Sequence, residues 1–181
     1  MDITITSRYE LLKKLQEQSY HALISINDPE DTVPQGIEYV HTGSIKPLFF
    51  HDITEDIDAH VSPSEDIVKE IVDYTRNEYF SKGATRLLVH CHAGISRSSA
   101  SAIIAAASVG ISPSSFVDLM YSKSGIYHPN YRLLELAEGV LSLKGFFNEA
   151  RDRINVHLNG EWFDGNNNLD YKGKWYSGKK E

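Results

Sequence analysis

Positions 89–98 read Val89-His90-Cys91-His92-Ala93-Gly94-Ile95-Ser96-Arg97-Ser98, which places a cysteine and an arginine six positions apart. Five residues curled round a sulfur can turn consecutive backbone N–H groups inward, and at a helix N-terminus such a nest favours a bound anion. Phosphate is the expected guest, cradled by His92, Ala93, Gly94, Ile95 and Ser96. Gly94 lets the loop turn sharply, and Arg97 can close the cradle with a planar fork on two oxygens. The same positive field favours the thiolate of Cys91, which is the nucleophilic form. Ser98 can donate a hydrogen bond to that sulfur when a phosphocysteine is hydrolysed. His90 is expected to order the loop rather than to transfer protons.

A phosphoryl transfer also needs a proton for the departing oxygen, so a carboxylic acid must reach the site. The segment His51-Asp52-Ile53-Thr54-Glu55-Asp56-Ile57-Asp58 offers four candidates. Asp52 is favoured because it directly follows the apolar run Leu48-Phe49-Phe50, with Asp56 and Asp58 as alternatives.

The elements that must position these groups can be read from periodicity and caps. Residues 87–89 predict a buried strand, and residues 97–109, rich in Ala, Ser and Ile, predict a helix packed inside the domain and closed by Gly110. Further strands are expected at 22–26, 37–40 and 48–50, with Gly43 and Pro47 as punctuation. A first helix is expected over 7–18 from the Ser7-Arg8-Tyr9-Glu10 capping pattern. Another should open at Ser62-Pro63-Ser64-Glu65, with Pro63 in its first turn, and run to Gly83; later helices should begin at Ser112-Pro113 and after Pro129-Asn130. Early strands and late helices suggest an α/β sheet flanked by helices, whose central strand feeds the loop before Arg97.

Composition narrows the function classes. A chain of 181 residues with 41% hydrophobic and 24% charged residues is expected to be globular. Twenty-five acidic against 18 basic residues give a net charge of −7, which disfavours nucleic-acid binding. No apolar run approaches the ~18 residues of a membrane span, and the first residues lack a basic-then-apolar leader, so a cytoplasmic protein is expected. Cys91 is the only cysteine, which excludes an intrachain disulfide and a multi-thiolate metal site. His21, His41, His60, His128 and His157 show no ligand spacing, and no metal or cofactor is expected.

The His-Cys-x5-Arg-Ser pattern of residues 90–98 resembles the signature of the protein tyrosine phosphatase superfamily, and residues 93–98 look most like its dual-specificity branch. The resemblance covers residues 20–145, including Pro129-Asn130, where it implies that Asn130 braces the loop. It implies an α/β fold with a central, mostly parallel sheet flanked by helices. It also implies metal-free hydrolysis of phosphomonoesters through a cysteinyl-phosphate, with an aspartic general acid upstream. The implied substrate is a phosphorylated protein or peptide, bearing phosphotyrosine and, for a dual-specificity enzyme, also phosphoserine or phosphothreonine. A phosphoinositide or inositol-polyphosphate phosphatase is the alternative, disfavoured because positions 92–96 carry no lysine. A phosphate-recognition module would have no need of both Cys91 and Ser98, and a rhodanese-like sulfurtransferase fits residues 90–98 less well.

The division expected is a phosphatase domain over 1–154 and a Gly- and Trp-rich extension over 155–181. In that extension Asn159-Gly160-Glu161-Trp162-Phe163-Asp164-Gly165 returns 13 positions later as Lys172-Gly173-Lys174-Trp175-Tyr176-Ser177-Gly178. These units resemble the strand units of MORN repeats at a shorter spacing. They are expected to dock on the domain or to bind a partner.

Overall fold

Strands that are buried on both faces read as short continuous apolar runs, and two of the four strands among the described residues have that character. The computed structural model describes residues 1–41, 43–123 and 125–158. Among these, β1 (Asp2–Ser7), β2 (Ala22–Asn27), β3 (Ser44–Phe49) and β4 (Arg86–Cys91) form one sheet in the order β1-β4-β2-β3. Every pairing is parallel. The sheet is therefore parallel throughout, and β4 is central as expected.

The period of two along a strand divides the core. Leu87 and Val89 join Ala22, Ile24 and Ile26 in the larger apolar cluster, on the face covered by α3 (Glu65–Arg76), α4 (Arg97–Ser108), α5 (Pro113–Ser122), α6 (Tyr131–Leu141) and α7 (Phe146–His157). Leu88 and Leu23 point the other way, into a smaller cluster with α1 (Leu11–Glu17) and the single turn α2 (Ile37–Val40). Every residue of α4 is buried. Its alanines and serines allow close approach by β4, α3 and α6 at once, and a larger face would force these layers apart.

Several expectations are corrected. Residues 2–7 form β1, whose Ile3 and Ile5 follow the two-residue period of a strand. The first helix therefore starts at Leu11 rather than Ser7. Ser7 Oγ does accept the Glu10 N–H at 3.2 Å, but this bond closes the turn after β1 and does not cap α1. Residues 37–40 are a helical turn and not a strand, closed by the His41 N–H on Ile37 O at 2.8 Å; four residues are too few to reveal a period. Pro47 lies within β3, which is an edge strand and tolerates a residue without an N–H. Ser64 is the N-cap of α3, so Pro63 precedes the helix, and α3 passes into a π-helical turn at Asn77–Ser81 before Gly83. Helix α7 was not anticipated, although Phe146, Ala150 and Ile154 form its buried stripe. The boundary drawn at 154 falls inside it. The repeats at 159–165 and 172–178 lie outside the described residues.

Candidate active site

Because the strands are parallel, their carboxyl ends share one edge of the sheet, the usual location of ligand sites in such folds. Cys91 ends β4, Arg97 opens α4, Asp28 follows β2, and Asp52 lies three residues beyond β3. These four residues, with His92 and Ser96, line a cavity of about 520 Å³.

The 92–96 loop is shaped by bonds to its carbonyl groups. Arg8 N donates to Cys91 O at 2.9 Å and to His92 O at 3.0 Å, His128 N to Ile95 O at 3.2 Å, and Asn130 N to Ser96 O at 3.2 Å. Ser99 Oγ also donates to Ile95 O and Ser96 O. A trans peptide points its N–H opposite to its carbonyl. The N–H groups of His92, Ala93, Ser96 and Arg97 thus face away from these scaffold donors. Gly94 takes φ +76°, and a Cβ there would lie 2.7 Å from Ser7 N and from Thr6 C. Only glycine fits both the conformation and the approach of β1.

Cys91 is buried, and its Sγ lies 3.2 Å from Ser98 Oγ. Arg97 is only 3% exposed. Its Nη1 donates to Asp28 Oδ1 and to Phe50 O, both at 2.6 Å, while its Nε is buried with no hydrogen-bond partner among the described residues. Burial opposes the charge of Arg97, but the fields of Asp52, Cys91 and Asp28 outweigh it and hold its pKa above the ordinary value. A fixed guanidinium with an unsatisfied buried N–H is an anion site in waiting.

Asp52 Oδ1 accepts from Ser96 Oγ at 2.7 Å and from Asn130 Nδ2 at 2.9 Å. Asn130 also donates to Ile53 O at 3.2 Å and caps α6 through the Leu133 N–H at 3.2 Å. It therefore holds the Asp52 segment as well as Ser96. Of the two alternatives, Asp56 pairs with Arg132 at 2.8 Å, and hydrogen bonds from Ser62 and Arg132 hold its carboxyl below the usual range. Neither Asp56 nor Asp58 lines the cavity.

His90 is fully buried beneath Cys91. Its Nε2 lies 2.7 Å from Ser25 Oγ and its Nδ1 lies 3.4 Å from Cys91 O. Since a carbonyl can only accept, the proton sits on Nδ1, and Ser25, which accepts from Asn27 Nδ2 at 3.1 Å, donates to Nε2. Burial, reinforced by the charges of Arg8 and Arg97 against the Cys91 carbonyl bond, pushes the imidazole pKa down to about 4. The ring is neutral. His92 stands at the rim, its Nε2 2.7 Å from Tyr9 Oη. Sequence reasoning missed Asp28, Ser25 and Tyr9. For Asp28 one signal was available, since it directly follows an apolar strand, as the 92–96 loop follows β4.

No protein-family model matches the chain, and no curated protein sequence does. Among solved structures, human DUSP28 is similar with a TM-score of 0.58 and 12% identity, over 77% of this chain and 91% of that one. The Cydia pomonella PTP-2 phosphatase gives a TM-score of 0.58 and 19% identity, over 77% and 85%. DUSP15 gives 0.57 and 18% over 83% and 91%. The fold is that of the dual-specificity-phosphatase-like members of the protein tyrosine phosphatase superfamily.

Proposed function

We propose that this protein hydrolyses phosphomonoesters of proteins, with phosphotyrosine as the preferred group, through a cysteinyl-phosphate. The observation that carries this reading is the Nε of Arg97, buried and without a partner among the described residues, in the cavity that Cys91 lines; the backbone N–H groups of the 92–97 loop would complete an arc of donors beside it. Phosphate oxygens would satisfy the arc and the fork together. The Cys91 thiolate attacks phosphorus, the bond to the substrate oxygen breaks, and that oxygen takes the proton of Asp52. Water then attacks phosphorus, Asp52 regains a proton from it, and the phosphorus–sulfur bond breaks with Ser98 donating to the sulfur. Ser96 and Asn130 orient the Asp52 carboxyl for both transfers. Among the described residues lining the cavity Arg97 is the only Lys or Arg, against the carboxylates Asp28, Asp52 and Glu55. Such a lining suits a monophosphate better than a polyphosphorylated inositol.

Purified protein should release phosphate from phosphotyrosyl peptides in the presence of chelator, and Cys91→Ser should abolish turnover by about 10⁴-fold or more. Asp52→Asn should slow phenyl phosphate by about 10²-fold and a nitrophenyl phosphate far less, because an activated phenolate departs without a proton. Turnover by Cys91→Ser near the wild-type rate would overturn the mechanism. Faster release from phosphoinositides than from phosphopeptides would reassign the substrate.

A further inference from the structure

Asp52 is the second residue of a segment, 51–61, that begins and ends at one side chain. His51 N donates to Val61 O at 2.8 Å, and Val61 N donates back to His51 Nδ1 at 2.9 Å. The loop is thus closed by a pair of bonds of which one runs to an imidazole. An Nδ1 that accepts carries no proton, so the proton of the neutral ring is on Nε2, which faces Glu30 Oε1 at 3.2 Å. The ring also packs edge-on against His60, with centroids 4.6 Å apart. Inside the closed loop Ala59 holds φ +64°, a left-handed conformation that a residue with a Cβ seldom adopts. The far side of the segment is tied separately, by Arg132 to Asp56 at 2.8 Å and to Pro63 O at 3.1 Å.

We propose that His51 is a positioning residue for the proton donor: its Nδ1 latches the 51–61 loop shut on Val61 and so fixes Asp52 against Ser96 and Asn130. This rests on the assignment of Asp52 as the general acid. His51 does not itself move a proton in the reaction. A small displacement of a catalytic group is enough to cost one to two orders of magnitude in rate, so a latch next to the acid is a rate-determining device.

Two substitutions separate the two ring nitrogens. In His51→Asn the amide oxygen occupies the place of Nδ1 and can still accept from Val61, whereas His51→Gln reaches the place of Nε2 and leaves the Val61 N–H without that acceptor. We expect His51→Gln to lose about 30-fold in kcat on phenyl phosphate with little change in KM, and under threefold on a nitrophenyl phosphate. His51→Asn should stay within about threefold of wild type on both substrates. The Val61 amide should be protected from hydrogen exchange in wild type and His51→Asn, and exposed in His51→Gln. Equal losses on both substrates, equal behaviour of the two variants, or undiminished Val61 protection in His51→Gln would each overturn the latch. A wild-type protein without phosphatase activity would instead bring down the reading on which the latch rests, and that result is seen before any variant is made.

Discussion

The imidazole of His90 makes a measurable demand on acid stability. In the unfolded chain this side chain takes up its proton near pH 6.5, whereas in the folded protein burial delays uptake to about 4. Between these values the unfolded state binds the extra proton, so stability falls as the pH is lowered through that window. It is unaffected above about 6.5 and falls no further, on account of this group, below about 4. Each pH unit costs about 1.4 kcal/mol, and the window amounts to about 3 kcal/mol, or roughly 10 °C in Tm for a chain of this size. Other groups also titrate, so the test is a comparison with His90→Gln, whose amide reaches Ser25 but carries no charge at any pH. Urea unfolding at pH 7 and pH 4 should show the wild-type protein losing about 3 kcal/mol more than the variant across the interval. Imidazole NMR signals should show one ring with a midpoint near 4. Parallel stability curves, with every ring titrating near pH 6.5, would refute the neutral, desolvated His90 and the hydrogen-bond chain from Asn27 through Ser25 to the Cys91 carbonyl.

Gly94→Ala should destabilise the fold by about 2 kcal/mol, because its Cβ meets the Thr6 and Ser7 backbone at a positive φ, and urea unfolding together with phosphate binding should both report the displaced loop. Unchanged stability and binding would show that the loop does not need this backbone. Asp28→Asn keeps an acceptor for Arg97 Nη1 but removes its countercharge; kcat/KM on phosphopeptides should fall about tenfold, with Tm lowered by a few degrees.

The parts of the site that were legible are those that local sequence determines. Cys91, Gly94 and Arg97 lie within one strand–loop–helix unit, so their spacing alone states what they can enclose. Helices α5 and α6 announced themselves through Ser112 and Asn130, which accept the Ser115 and Leu133 N–H groups at 3.3 and 3.2 Å. For Asp28 the local signal, its place just after an apolar strand, does not say what it faces. Its importance arises because β2 lies beside β4, with Ser25 opposite His90, and beside β3, with Asn27 opposite Phe49. Only that order brings its carboxylate to Arg97, 69 positions away.

The same non-local register explains why the acid candidates could be ranked by sequence but not settled by it. Asp52 is favoured by its place just after Leu48-Phe49-Phe50, but what distinguishes it from Asp56 and Asp58 in space is that Asn130, 78 positions beyond it, donates to Asp52 and to Ile53 while Arg132, two residues later, takes Asp56. One helix start thus selects one carboxylate and ties off another. It follows that the cradle and the proposed acid share one anchor and differ in the others: β1 and α4 shape the loop around Cys91, Asn130 at the start of α6 ties Ser96 as well as Asp52, and the His51 latch acts on the Asp52 segment alone. Substitutions at His51 should therefore alter proton delivery while leaving phosphate binding intact, and this separation is what the leaving-group comparison measures.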